Sequence, residues 1–174
     1  MAKPEDKTVL VVDDEEDVRE YFAMALEDAG FDVQRAENGN QALEKIKEKT
    51  PDFISLDLVM PEKSGIKLLY ELRQNNEWKK IPFVVVTAHA RDDAGRGDLE
   101  EILSSRTFSG PKMYLEKPVE AEQYVAFICE QVGVEYEGEA AAQDAGKLRN
   151  ELQELMKSVD PDKLAEAVRL LKKS

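Results

Sequence analysis

The sequence is poor in cysteine, in basic side chains and in long apolar runs, and each shortage removes a class of protein. Cys129 is the only cysteine among 174 residues, so the chain forms no internal disulfide. Lys and Arg number 24 against 37 Asp and Glu, giving a net charge of −13 and a pI near 4.6. Phosphate backbones are held by clustered Lys and Arg, so no nucleic acid partner is expected and any gene-regulatory role would be indirect. The N-terminal MAKPEDKTVLVVDD has only the apolar run Val9 to Val12 before acid begins, which is too short for a secretion signal or a membrane span. The expected setting is cytoplasmic, without membrane attachment. With 42% hydrophobic and 35% charged residues, the chain has enough apolar material for a core and a size of about one domain. The acidic excess has two readings, general solubility or carboxylates gathered around a metal.

Short β-rich runs alternate with helical patterns from Thr8 to Gly133. The runs are Thr8–Val12, Phe31–Ala36, Phe53–Leu56, Phe83–Thr87 and Met113–Glu116, each too short for a buried helix. The first helical stretch carries Val18, Phe22, Ala25, Leu26 and Ala29 and stops at Gly30, a residue that tolerates left-handed backbone. Others span 41–49, 66–74, 99–103 and 121–132. The alternation predicts an α/β (βα)5 domain with a doubly wound parallel sheet, because right-handed crossovers lay helices on both faces. After this domain, residues 7–133, the stretch 134–146 reads as a linker. Residues 147–174 read as two short amphipathic helices divided at Asp160-Pro161, an N-cap residue followed by proline. This tail holds seven basic and five acidic residues, net +2, which leaves −15 on residues 1–146. The acidity therefore belongs to the sheet domain and the linker.

In a parallel sheet, ligands bind where loops leave the carboxyl ends of the strands. The residues at those ends are Asp13-Asp14, Asp57, Thr87 and Lys117-Pro118. An acidic pair after a strand also serves as an ordinary helix start. Asp57 inside Ile54-Ser55-Leu56-Asp57-Leu58-Val59-Met60 is harder to explain that way, because an unpaired charge among apolar residues is costly. Three carboxylates, a hydroxyl and an ammonium would meet at one edge.

These residues resemble the receiver domain of bacterial two-component response regulators. The matching elements are Val12-Asp13-Asp14, Asp57 with Met60-Pro61 and Gly65, Thr87-Ala88, and Tyr114 three residues before Lys117-Pro118. The resemblance implies a flavodoxin-like sheet of strand order 2-1-3-4-5 and a phosphoacceptor switch that is not an enzyme beyond its own phosphotransfer and slow dephosphorylation. It implies Asp57 as the phosphoacceptor, attacking a phosphohistidine to give an aspartyl phosphate. Mg²⁺ would be held by Asp14 and Asp57, by the Val59 backbone carbonyl, and by Asp13 through water. Lys117 would face a phosphoryl oxygen, Thr87 would hydrogen-bond the phosphoryl group, and Tyr114 would swing into the space that Thr87 vacates. Val59 and His89, two residues beyond the acceptor and two beyond the hydroxyl, stand where the family tunes phosphoryl lifetime. His89, the only histidine, is either a solvent-exposed loop residue or a border to the path of the hydrolytic water.

The implied partners are a sensor histidine kinase or phosphotransfer protein, and a downstream protein contacting the face formed by the fourth helix, fifth strand and fifth helix. Between Thr87 and Lys117 the chain runs longer than is usual for the family, with the extra length in 91–112, so interface residues are not carried over. The tail offers packing against its own domain, homodimerisation or docking of a partner, and its 28 residues cannot bury a DNA-binding output domain. Two other functions use similar groups: an aspartyl-phosphate phosphatase, which needs a second carboxylate where Val59 stands, and a degenerate receiver kept as a scaffold. Trp78 is expected to cap a loop, and Cys129 to be a small buried packing residue.

Overall fold

The structure is a computed structural model that describes residues 2–58, 60, 64–88 and 114–136. Five parallel strands, β1 (Thr8–Val12), β2 (Asp32–Ala36), β3 (Phe53–Leu56), β4 (Phe83–Thr87) and β5 (Tyr114–Glu116), form one sheet of order β2-β1-β3-β4-β5. The described helices are α1 (Glu16–Asp28), α2 (Gly39–Glu48), α3 (Gly65–Gln74) and α4 (Ala121–Val132). α4 is the fifth helical stretch of the sequence pattern. The stretch 99–103, the long segment 91–112 and the tail 147–174 lie outside the described residues.

Strand alternation builds two cores. β1 sends Leu10 and Val12 to one face and Val9 and Val11 to the other, and β3 divides Ile54 and Leu56 from Phe53 in the same way. The first face packs on Ala42 and Ile46 of α2 and on Leu68, Leu69 and Leu72 of α3. The second packs on Phe22 and Leu26 of α1 and on Tyr124, Val125, Ile128 and Cys129 of α4. All residues of β1, β3 and β4 are buried, the signature of parallel strands covered on both sides. β2 and β5, at the edges, are mostly half-exposed.

Local chemistry sets the element boundaries. Phe31 lies outside β2 because its N–H returns to the Leu26 carbonyl at 3.0 Å, closing the end of α1 while Gly30 takes φ +99°. α2 starts two residues before its apolar pattern, since the Asn38 side chain accepts from Gln41 N at 2.9 Å and Gln41 Oε1 accepts from Glu37 N at 3.1 Å. That reciprocal pair caps the helix. Arg35 on β2 binds Glu20 and Glu27 of α1, each at 2.9 Å, which fastens the edge strand to its helix. α4 ends at Gly133 with φ +68°. Val134 then bridges to Ala2 and is buried, and Tyr136 packs on the same core, so ordered packing continues into the first residues of the expected linker. Trp78 does not cap a loop with its ring. The ring rests partly buried against the α2–α3 core, and it is the Asn75 side chain that accepts from Trp78 N at 3.3 Å.

Gly65, the first residue of α3, passes directly under the loop that leaves β3. Its N–H donates to the Leu58 carbonyl at 3.0 Å, and a Cβ here would collide with the Asp57 carbonyl and lie 3.0 Å from Leu58 Cα. Backbone cannot swing aside as a flexible side chain can, so the overlap displaces the Asp57 loop. Gly65→Ala is expected to destabilise the chain by about 2 kcal/mol, within the usual range for overpacking, read as a lowered urea midpoint at unchanged slope. A stability equal to that of the parent would show that the loop has room to move.

Candidate functional site

The sheet order reverses between β1 and β3, since the chain runs from β1 outward to β2 on one side and to β3 on the other. Such a reversal leaves a crevice at the carboxyl ends of the two strands. The backbone fixes what stands there. Asp13 N donates to the Ala36 carbonyl at 3.1 Å, Asp57 N to Val12 O at 3.0 Å, and Lys117 N to Thr87 O at 3.1 Å. Each residue sits one step past its strand and is pinned by the neighbouring strand through its own amide.

Asp13 and Asp57 are each only 3% exposed, whereas Asp14 turns outward and is exposed. The Lys117 ammonium lies 2.7 Å from Asp13 Oδ2 and 3.4 Å from Asp57 Oδ2, with Glu15 Oε1 further off at 3.9 Å. Asp13 is held twice more, its Oδ1 accepting from Glu15 N at 3.0 Å and its carbonyl from Arg19 Nη1 at 3.0 Å. Burial disfavours the charged lysine, but the hydrogen bond to Asp13 and the charges of Asp57 and Asp13 outweigh it and raise the Lys117 pKa. The ammonium is therefore locked in its charged form between two carboxylates that would otherwise repel each other in a poorly hydrated place.

Carboxylate oxygens of Asp13, Asp14 and Asp57 come within 4.8 Å of one another. Three hard anionic oxygens on one edge, with one of the three residues open to solvent, suit a small divalent cation that keeps part of its water. The donor set fits Mg²⁺. Thr87 ends β4 fully buried. Tyr114 pairs with Val85 in register and rests half-buried against the α2–α3 core, which places it one pleat below Thr87 on the neighbouring strand. Asp13, Asp14, Asp57 and Lys117 are thus drawn together, Thr87 stands beside them, and Tyr114 lies behind Thr87. Val59 and His89 lie outside the described residues.

Three features escaped the sequence reading. Arg19 was hidden in the polar face of α1, six residues after Asp13. The cis peptide between Lys117 and Pro118 accompanies a groove of about 480 Å³ beside the site, walled by Val18, Tyr21, Phe22 and Val119. Tyr21 caps α4 by accepting from Ala121 N at 3.0 Å. Only the spacing of Val18, Tyr21 and Phe22 on one side of α1 hinted at it.

The sequence profile of the response regulator receiver domain matches residues 9–128. The chain is 38% identical over 120 residues to the phosphate regulon transcriptional regulatory protein PhoB of Pseudomonas aeruginosa, a match covering 69% of this chain and 49% of that protein. It thus spans about half the length of that relative. With the polar-differentiation response regulator DivK of Brucella anthropi it shares 32% identity over 127 residues, covering 73% of this chain and 97% of DivK. Among solved structures, a response regulator of Chloroflexus aurantiacus described as putative superposes with a TM-score of 0.61 at 29% identity, over 73% of this chain and 98% of that one. Strand order, acidic edge and sequence agree: this chain belongs to the response regulator receiver domain family.

Proposed function

We propose that the chain is a phosphoacceptor switch in which Asp57 takes a phosphoryl group from a phosphohistidine on a histidine kinase or phosphotransfer protein. The observation that supports this best is the meeting of Asp13, Asp57 and Lys117 at the switch point of the sheet. An Asp57 oxygen attacks phosphorus in line with the leaving imidazole. The P–N bond breaks as the new P–O bond forms, and the imidazole nitrogen leaves with its electron pair and is protonated. The chemistry needs little beyond placement and charge compensation, as phosphoryl transfer generally does.

The chain's own groups divide that work. Lys117, already between the two carboxylates, turns to a phosphoryl oxygen as negative charge accumulates there. Thr87 hydrogen-bonds another oxygen, and Tyr114 follows into the space behind it. Asp14 and Asp57 would ligate Mg²⁺, with the Val59 carbonyl as a further ligand and Asp13 acting through water. When bound, the cation supplies positive charge that offsets the carboxylates and the incoming phosphoryl oxygens. Val59 and His89 govern how long the aspartyl phosphate survives. Output runs by protein contact, through a face to which the helical stretch expected at 99–103, β5 and α4 contribute, and with self-association through residues 147–174. The product is a modified protein rather than a released chemical product, so the chain is a switch in a cytoplasmic phosphorelay.

Incubation of the full chain with Mg²⁺ and a small phosphodonor such as acetyl phosphate is expected to give one acid-stable, base-labile phosphoryl group per chain. Asp57→Asn is expected to abolish it. Continuous turnover of unrelated phosphate esters would indicate a phosphatase instead, and an unlabelled wild-type chain would indicate a scaffold.

Removing the ammonium from between two buried carboxylates leaves their repulsion uncompensated. Lys117→Met is expected to destabilise the chain by about 3 kcal/mol in the presence of a chelator, the range seen when one partner of a buried pair is deleted. Adding Asp57→Asn to that variant is expected to recover most of the loss. Urea unfolding of the single and double variants measures both, and additive losses would contradict the proposed coupling.

A further inference from the structure

Strand alternation determines what lies directly beneath the site. Below Asp57 on the same face of β3 is Ser55, and below Asp13 on β1 is Val11, the two being register partners. α4 drives Tyr124 into this layer. The residue is completely buried, its ring centroid 4.2 Å from that of Phe22, among Val9, Val11 and Phe53. Its hydroxyl lies beside the Ser55 side chain without a well-formed hydrogen bond, and among the described residues it is the only buried side-chain donor in that position. Burial raises the phenol pKa far above its ordinary value, the nearby Ser55 hydroxyl opposes the rise, and the charge of Asp13 adds to it. The hydroxyl thus stays protonated, in the field of Asp13 and beside Ser55.

A buried hydroxyl without a well-formed hydrogen bond is destabilising, and phenylalanine would fill the same volume without it. In the resting site each Asp13 carboxylate oxygen already has a donor. Asp13 Oδ1 is occupied by Glu15 N, and Oδ2 by Lys117 at 2.7 Å. On the function proposed above, on which this inference rests, Lys117 leaves Asp13 for a phosphoryl oxygen. Asp13 Oδ2 then loses the ammonium while remaining almost wholly buried.

We propose that Tyr124, steered by Ser55, is a positioning residue for the acidic pocket: a reserve hydrogen-bond donor that serves the Asp13 carboxylate once Lys117 has turned to the phosphoryl group. Its contribution is confined to the phosphorylated state, which separates it from an ordinary packing residue. The hydroxyl does not touch the phosphoryl group and acts only through Asp13.

The test uses the full chain with Mg²⁺ alone and with Mg²⁺ plus beryllofluoride as a mimic of the phosphoryl group, each titrated by calorimetry. Tyr124→Phe is expected to leave the urea midpoint in chelator unchanged or raised. It is expected to alter Mg²⁺ affinity less than twofold but to weaken beryllofluoride binding about 10-fold, the low end for groups that orient a metal's ligands. Equal beryllofluoride affinity in the variant and the parent would overturn the inference. So would equal weakening of both ligands, which means general distortion of the pocket. Should Tyr124→Phe fail to fold, Ser55→Ala is judged by the same selective loss. A wild-type chain that binds no beryllofluoride defeats the phosphoacceptor reading and this inference together, whereas normal wild-type binding with an indifferent variant defeats this inference alone.

Discussion

Two carboxylates sealed beside each other at the centre of a sheet need a counter-charge, and one lysine provides it. Lys117 reaches Asp13 and Asp57 at 2.7 and 3.4 Å from a loop on the far side of the fold, 104 and 60 residues along the chain. Without it the ends of β1 and β3 would carry uncompensated negative charge where water has little access, and such charges neutralise or force the structure apart. The strand order brings these groups together. Because β4 lies between β5 and β3, and β3 between β4 and β1, the lysine must reach past one strand to Asp57 and past two to Asp13, and a long unbranched side chain can do so. On the proposed function, the same ammonium that makes the resting site tolerable is also the group available to a phosphoryl oxygen.

Much of this was visible in the sequence because it depends on periodicity and on strand ends. Thr8–Val12, Phe53–Leu56, Phe83–Thr87 and Ala121–Val132 have the predicted limits, since each is a continuous apolar or amphipathic run bounded by charge, proline or glycine. Where the boundary was set by a polar cap the pattern gave no warning. Asn38 and Gln41 start α2 through hydrogen bonds that leave no trace in hydrophobicity, and Phe31 looked like strand because its aromatic ring belongs to the core.

Site residues were legible for a related reason. Asp57 in an apolar run is conspicuous as a charge out of place, and Asp13-Asp14 and Lys117 follow strands whose ends the topology gathers. Tyr124, Ser55 and Arg19 were not legible. A tyrosine on an amphipathic helix looks like any core aromatic, and a serine inside a strand looks like tolerance of a small residue. Their nearness to Asp13 comes from the pleat that Ser55 occupies on β3 and from how α1 and α4 pack on the sheet, and both relationships exist only once the register is known. The acid count misleads in the opposite direction. Of 37 acidic residues, three stand at the candidate metal site, so metal binding explains little of the −13 charge.

On the proposed function, strand parity would also carry a chemical event on one face of this sheet to the other. Lys117 continues the parity of Leu115, which packs on the α1–α4 core, while Tyr114 belongs with Val85 on the opposite face. Lys117 is three positions beyond Tyr114, an odd step, so one short segment holds a charge-compensating group on the first face and a large aromatic ring on the second. Thr87, between them on β4, shares the parity of Val85 and Tyr114 and is tied by its carbonyl to Lys117 N at 3.1 Å. A phosphoryl group that attracts both the Lys117 ammonium and the Thr87 hydroxyl therefore pulls on side chains from opposite pleats of adjacent strands. The cores on either side are packed and cannot deform smoothly. Tyr114 is half-buried on the edge strand against the α2–α3 core. On the proposed function, the alternation that buries the strands is also what carries the signal through the sheet.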